Sequence, residues 1–448
     1  MRGTRARAGR WRSWVVGGLW TALATAPAGV AEGQAPGESS GLRRVLDNLE
    51  ASAELVGLYT ATEPAGAPGN PGNAIKAIPR GELELELRTR LTYRDRAAGL
   101  LVSVSPFLTY DRSSTDRAGA PDRTDDAVDL FVNEYVVQVR ELIPRTTLTV
   151  SRQDVEWSPG FFDSPSNPFS VRTSTDTPLR ADPGADFVLA SVSPTDELAL
   201  TYYNNYDEGA REPSVVTPFR KAQLGVLTYV GERFTVSLVG GRQEDTGGFV
   251  GSYAQWTVDD ALLVYYDGAV RQGSLGLYPV RDPSLPTGGR YAATKDSAAL
   301  YPEVLVGAAY TTPNDYTLYA EYFYYGPGYD DGDLALARRI NRGAADLLGT
   351  ELDGLGRGTL GQAALSGLRY AGQHFLNLQA SKTIGAVQLV AQNALSLQDW
   401  TGRLFASVQF GYEAYRIALT GIVFYGRAGG IFRQDIDGRL TIGVARHF

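Results

Sequence analysis

Between Glu82 and Tyr93 the chain reads ELELELRTRLTY. Leu83, Leu85, Leu87, Leu91 and Tyr93 hold one parity, and Glu82, Glu84, Glu86, Arg88, Arg90 and Thr92 the other. A period of two is the signature of a strand, and here one face is apolar while the other is lined with charge. A sheet that packed the second face into a dry core would strand those charges, so that face must meet water while the apolar face is covered. A closed barrel in a membrane satisfies both demands, with apolar side chains turned outward to lipid and polar ones inward to an aqueous lumen.

The same alternation returns in about 18 runs, with 16 as the alternative count. Their spans are 51–60, 81–94, 98–111, 128–142, 145–155, 185–193, 196–206, 218–230, 233–244, 247–257, 260–271, 299–312, 315–326, 367–383, 385–397, 400–410, 413–426 and 436–448. The connections alternate in kind. Short ones fall near residues 96, 143, 194, 231, 259, 313, 384 and 412, and long ones include RSSTDRAGAPDRTDD, 156–184, 272–298 and 327–366. Outer connections near Thr246 and Gln398 are short exceptions. Tight turns on one rim and long loops on the other predict an all-β fold, a transmembrane antiparallel up-and-down β-barrel with short periplasmic turns and long outer loops.

Composition removes other classes. With no cysteine in 448 residues, disulfides and cysteine-ligated metals are excluded. Beyond residue 31 no apolar run approaches the roughly 20 residues of a membrane helix. A mean hydropathy of -0.18 does not count against a barrel, whose strands each supply only one apolar face.

Residues 1–31 read as a secretory signal: Arg2, Arg5, Arg7, Arg10 and Arg12 precede an apolar stretch from Trp14 to Ala26. Losing five arginines and no acids takes the formal charge from -8 to -13, which argues against nucleic acid as a partner. Residues 32–50 follow as a periplasmic segment in which SGLRRVLDNLE spaces Leu42, Val45, Leu46 and Leu49 as a short helix, and the barrel is assigned to 51–448. A second helical pattern, DLALARRINRGAADLL, starts at Asp333. For both helices a place inside the lumen and a place at the surface stay open.

The last strand places Leu440, Ile442, Val444 and Phe448 on one parity. It resembles the carboxyl-terminal signal that the barrel-assembly machinery reads in bacterial outer-membrane barrels, with Arg446 as a departure. Tyr93, Tyr110, Tyr202, Trp256, Tyr266, Tyr310, Tyr322, Tyr324, Tyr415 and Tyr425 share the apolar parity of their strands, as interfacial girdles require.

Chemistry finds little to work with. The two histidines are His374, which shares parity with Leu376 and Leu378, and His447, the penultimate residue. A serine hydrolase needs a histidine beside its nucleophile, so no enzyme is expected. Asp330, Asp331 and Asp333 in YDDGDL read as a helix cap, with a calcium site as the alternative. No metal and no cofactor is expected.

The polar parity assigns Glu84, Glu86, Arg88, Arg90, Glu134, Arg140, Asp267, Arg271, Glu303, Glu321, Arg403 and Arg416 to the pore lining, joined by Glu82, Arg94 and Arg439. The signs nearly balance, which suits dipolar solutes sorted by size rather than strong ion selection. The third outer loop, SRQDVEWSPGFFDSPSNPFS from Ser151, holds Trp157, Pro159, Gly160, Phe161, Phe162, Asn167, Pro168 and Phe169. So many aromatics do not suit a solvated loop, so it is expected to pack, either into the lumen as a constriction or on the outer rim.

That loop also resembles a motif of a largely uncharacterised porin-like outer-membrane family, in which an Arg-Gln strand end leads through Trp and a Gly turn to Asn-Pro and Phe. The matching positions are Arg152, Gln153, Trp157, Gly160, Asn167, Pro168 and Phe169. YAEYFYYGPGYDD from Tyr319 is similar to a late strand and loop of the same family. The resemblance implies a bacterial outer-membrane location and passive or substrate-selective transport, and names no solute. The expected function is thus a porin-like channel for small polar solutes, narrowed by the third loop. The alternatives are an export conduit for a polysaccharide or other cell product, and a plugged barrel serving as surface scaffold. Expected partners are outer-membrane lipid and lipopolysaccharide, the assembly machinery and the solute, with the oligomeric state left open.

Overall fold

The computed structural model describes residues 45–118, 120–170, 177–210, 219–244, 247–274, 276–293 and 298–448. The expected signal, residues 1–31, and most of the 32–50 segment lie outside them. Residues 45–47 form one helical turn that belongs to a unit separate from the rest, which runs from Asn48 to Phe448.

Eighteen strands close into one antiparallel sheet. They are β1 (Leu49–Pro64), β2 (Gly81–Asp95), β3 (Leu100–Arg117), β4 (Ala120–Arg140), β5 (Thr146–Gln153), β6 (Ala185–Val192), β7 (Leu198–Asp207), β8 (Ala222–Val230), β9 (Phe234–Gln243), β10 (Gly247–Thr257), β11 (Leu262–Gln272), β14 (Leu300–Thr311), β15 (Tyr316–Tyr325), β16 (His374–Ile384), β17 (Val387–Ser396), β18 (Gly402–Tyr412), β19 (Tyr415–Tyr425) and β20 (Ile436–His447). A hairpin of β12 (Leu277–Arg281) and β13 (Gly289–Ala293) stands apart as a two-stranded sheet. Each barrel strand pairs with its neighbour along the chain, β11 with β14 across the hairpin, and β1 closes on β20 from Glu54 against His447 to Pro64 against Ile436. Closure leaves no sheet edge around the ring. Among the described residues no helix is long and apolar enough to cross a membrane, which says nothing about strands.

Alternation places the side chains as the sequence demands. On β2, Leu85, Leu87 and Leu91 are exposed on the outward face while Glu86 is buried on the lumenal face. Leu440, Ile442, Val444 and Phe448 all face outward. Arg446, on that same face, lies over the rings of Tyr415 (5.4 Å) and Phe448 (4.7 Å), so a cation is accommodated there by aromatic faces. Short turns rely on left-handed backbone, as at Gly385 (φ 58°) in the two-residue turn between β16 and β17.

Several boundaries differ from the sequence reading. β1 begins at Leu49 rather than 51, and β16 begins at His374 rather than 367. RSSTDRAGAPDRTDD is not a loop: β3 and β4 continue through it as a ribbon, with Arg112 and Asp126 3.8 Å apart across the strands. A polar ribbon has no apolar alternation to read, so only cross-strand pairing reveals it. The 272–298 connection hides the β12–β13 hairpin, and the longest loop holds two helices, α1 (Asp331–Asp346) and α2 (Asp353–Ala364), of which only α1 was expected. Glycines at 354, 356, 358 and 361 obscure the periodicity of α2. Asp330 caps α1, its carboxylate accepting from the Asp333 N–H at 2.8 Å. α1 packs on the hairpin through Leu334, Ala337 and Ile340 against Tyr291, so it sits among the outer loops.

Candidate functional site

The β5–β6 loop, residues 154–184, is the third connection on the long-loop rim, and its described parts, 154–170 and 177–184, lie against the lumenal face of the wall. Its first half is anchored by two carboxylates. Glu321 on β15 accepts the Phe161 N–H (2.5 Å) and the Phe162 N–H (2.7 Å), together with the Tyr265 hydroxyl (2.7 Å) and the Asn377 amide (3.2 Å). Asp267 on β11 accepts the Ser166 N–H at 2.7 Å and the Ser164 hydroxyl at 3.2 Å. Turn residues make these donors available: the Ser158 hydroxyl accepts the Gly160 N–H, and Asn167 bonds the Val155 carbonyl and the Phe169 N–H. A Cβ on Gly160 would meet the Asp163 carbonyl oxygen at 2.3 Å, so only glycine fits that turn.

Aromatic packing completes the anchor. Trp157 sits edge-on to Phe169 at 5.9 Å, with its indole N–H given to the Ser166 hydroxyl, and Phe169 packs edge-on against Phe187 of β6 at 4.9 Å. Phe161 stacks on Tyr319, and Phe162 lies among Phe323, Tyr370 and Phe375. Pro159 and Pro168 are half-buried between these contacts.

The second half reaches another part of the ring. Leu179 is buried with Val56 and Leu58 of β1, Ala418 of β19 and Ala445 of β20. Its carbonyl accepts from Arg88 at 2.8 Å, and Arg180 pairs with Glu84 at 2.9 Å. A single loop thus packs into cores drawn from β6 to β11, from β14 to β16, and from β19, β20 and β1, and bonds Arg88 and Glu84 of β2.

All twelve proposed lining residues occupy lumenal positions on their strands, but they do not form one solvated wall. Glu86, Asp267, Glu303 and Glu321 are buried, between 0% and 6% exposed, because the loop and neighbouring side chains cover them. Arg271 pairs with Glu303 at 2.8 Å, lies over Phe249 and donates to the Pro165 carbonyl. Arg90 and Glu134 pair at 2.7 Å in a more open region. Arg140 lies at the short-turn rim, where a cavity of about 760 Å³ is also lined by Arg96, Arg145 and Asp196. Arg403 is half-buried on β18, and Arg416 bonds Glu54. From the loop anchor a run of uncharged groups continues along the wall, Gln392 donating to Asn377 at 2.8 Å, with Ser407, Thr420 and Thr441 buried beyond.

Other singled-out residues have quieter roles. Arg152 does not face the lumen: it holds Asp186 in a two-pronged pair (2.7 and 3.0 Å) and donates to the Val132 carbonyl, tying β5 to β6 and β4. Gln153 ends β5, opposite Ala185. His374 faces outward beside Tyr324, its Nδ1 2.8 Å from the Tyr322 hydroxyl.

Sequence reasoning missed Asp163, Leu179, Arg180, Arg369 and Tyr370. Arg369 and Tyr370 lie in the segment between α2 and β16, where periodicity suggested a strand. Arg369 pairs with Asp163 at 2.8 Å and donates to the Ser170 carbonyl. Burial alone would lower the Arg369 guanidinium, but the carboxylate of Asp163 outweighs it and holds the group above its ordinary value. Burial, reinforced by the same carboxylate, pushes the Tyr370 hydroxyl up. Nothing in the local sequence marks a pair 206 positions apart, and only tertiary contact could.

No protein-family model and no curated protein sequence matches this chain. Solved structures do. The Pseudomonas aeruginosa porin OccK7 (OpdD) superposes with a TM-score of 0.53 at 14% identity, covering 90% of this chain and 99% of its own. OpdL of the same organism gives 0.51 at 10% identity, with 90% and 99% covered, and OprD gives 0.50 at 12%, with 90% and 95% covered. Such identities speak to the fold, and in fold this chain is a porin-like, closed 18-stranded barrel.

Proposed function

We propose that this protein is a channel of the bacterial outer membrane, delivered there by its amino-terminal signal, for the passive passage of small polar solutes, with its bore narrowed by the β5–β6 loop. The observation that carries the reading is the course of that loop, bound to Glu321 and Asp267 on one part of the wall and to β1, β2 and β20 on another. A loop tied to both sides of a ring divides the space inside it. The outward apolar faces of the strands suit lipid, and the inward charged and amide groups suit water and polar solutes. His374 is taken up by the Tyr322 hydroxyl and His447 by Glu54, and the wall carboxylates Glu321 and Asp267 are used to hold the loop, which favours transport over catalysis.

The test is single-channel conductance of refolded protein in a planar bilayer, before and after shortening the segment between Gly160 and Asn167. A stable conductance that rises on shortening is expected. A folded barrel that conducts in neither form would overturn the channel. The reading would then pass to a sealed surface scaffold, which the burial of Thr60, Ser237, Gln392 and Thr420 along the lumenal wall favours.

A further inference from the structure

The β5–β6 loop is held from two directions, and the second has no part in the barrel wall. Asp163 is 1% exposed. One of its carboxylate oxygens accepts the Ser164 N–H at 2.6 Å and pairs with Arg369, while the other is buried without a hydrogen-bond partner among the described residues. Arg369 belongs to the strap that runs from α2 down to β16. Its backbone N–H is given to the Tyr325 hydroxyl at 3.3 Å, and its guanidinium reaches the Ser170 carbonyl at 3.4 Å. The next residue, Tyr370, stacks on Phe162 at 5.4 Å and 25°. Two consecutive residues of the strap therefore grip both ends of the loop's central turn.

The strap continues into a separately packed cap. Leu368 shares a core with Tyr291, Tyr329, Leu334 and Ile340, joining α1, the β12–β13 hairpin and the strap. The Leu277 N–H is given to the Ser366 carbonyl at 2.6 Å. Beneath it lies the Arg271–Glu303 pair, whose arginine also donates to the loop at Pro165. Four charges that sum to zero are thus drawn from β11, β14, the β5–β6 loop and the strap. Buried ions tolerate the removal of a whole pair far better than the removal of one member.

We propose that Arg369 is a positioning residue that latches the β5–β6 loop inside the lumen, so that the outer cap and the constriction move as one unit. Release of the pair strands Asp163 in a dry site, and the loop leaves its seat to solvate it. This inference rests on the channel reading only for its consequence: displacement of the cap from outside would widen the bore.

The chain has no cysteine, which permits a clean thiol reporter. Ser170 is 5% exposed and its hydroxyl has no hydrogen-bond partner among the described residues, so Ser170→Cys is close to isosteric there. Refolded Ser170→Cys protein is treated with a water-soluble maleimide alone and in combination with Arg369→Gln, Asp163→Asn, or both, with heat-modifiable gel mobility verifying that each barrel is folded. Arg369→Gln is expected to raise the labelling rate by at least about tenfold, because one buried partner is stranded. The double variant, which strands nothing, is expected to label more slowly than Arg369→Gln alone. An unchanged rate in Arg369→Gln overturns the latch, and so does a double variant whose effect is the sum of the single ones. If labelling behaves as expected while no variant conducts in a bilayer, the latch stands as the brace of a sealed barrel and the channel reading falls.

Discussion

Glu54 and His447 meet across the seam of the barrel, Oε1 to Nε2 at 3.0 Å, where the first strand closes on the last. The same carboxylate also bonds Arg416 of β19 and lies 3.4 Å from Arg88 of β2, so one side chain gathers partners from three strands around β1. Further along the seam the hydroxyls of Thr60 and Thr441 are 3.1 Å apart. A slip of one residue would turn Glu54 to the apolar face, so this cluster specifies register as well as adding attraction.

Replacing Glu54 with leucine is therefore expected to destabilise the barrel by about 2 kcal/mol, below the figure for a fully buried pair because Arg416 and His447 are partly exposed. His447→Gln, which removes one half-exposed partner, is expected to cost roughly 0.5 kcal/mol or less. Urea unfolding in lipid vesicles, followed by tryptophan fluorescence, checks the order. Equal losses would remove Glu54 from its central place in the seam.

Glu321→Ala leaves the N–H groups of Phe161 and Phe162, the Tyr265 hydroxyl and the Asn377 amide without their shared acceptor. A destabilisation of about 3 kcal/mol is expected, since each stranded buried donor carries a desolvation cost. Hydrogen exchange at residues 160–166 should accelerate while exchange on β19 and β20 does not. Uniform acceleration would show that Glu321 supports the barrel as a whole rather than the loop.

Trp157→Ala removes the ring that meets Phe169 and Tyr203 and the indole donor to Ser166. Trp157 is only half-buried, so a loss of about 2 to 3 kcal/mol is expected, short of a core tryptophan. Trp157→Phe should recover most of the packing but not the hydrogen bond, which separates the two contributions in the same unfolding assay.

Arg446→Phe restores an aromatic at a position where the last strand departs from the common assembly pattern. The lost contacts with Tyr415 and Phe448 and the gained apolar surface near the interface oppose each other, so the net change is expected to stay within about 1 kcal/mol. Folding yield into vesicles should not fall. A large loss would mean that the arginine has a partner beyond those two rings.

At the start of α2, the Gly349 N–H and then the Arg357 guanidinium hold the Asp353 carboxyl below its ordinary value. A carboxyl whose folded value is depressed contributes stability above its unfolded value of about 3.9, and loses it as the pH falls through the folded value. Protection of the α2 amides, taken relative to their intrinsic exchange rates at each pH, should be constant between pH 5 and 8, by that rule, and fall only in stronger acid.

The strand count, the sidedness of the lumenal and outward residues and the alternation of the connections were legible in the sequence, because a barrel wall imposes a period of two on every strand whatever its partners. Glu86 and Leu87 needed only parity to be placed on opposite faces. The β3–β4 ribbon and α2 escaped because one has polar residues on both faces and the other is broken by glycine, so neither carries the apolar rhythm that marks an element.

The tertiary structure alone decided which lumenal charges meet water and which hold a loop. Glu321 and Glu84 share strand parity and a lumenal face, yet one is sealed beneath Phe161 and Phe162 while the other meets Arg180 at a half-open site. Parity is a local property, set by two successive backbone units, whereas burial depends on where a loop 160 residues away comes to rest. The sequence by itself determined the wall. What fills it, from the pairing of Asp163 with Arg369 to the seat of Leu179 on the opposite strands, followed from contacts between segments that no local pattern connects.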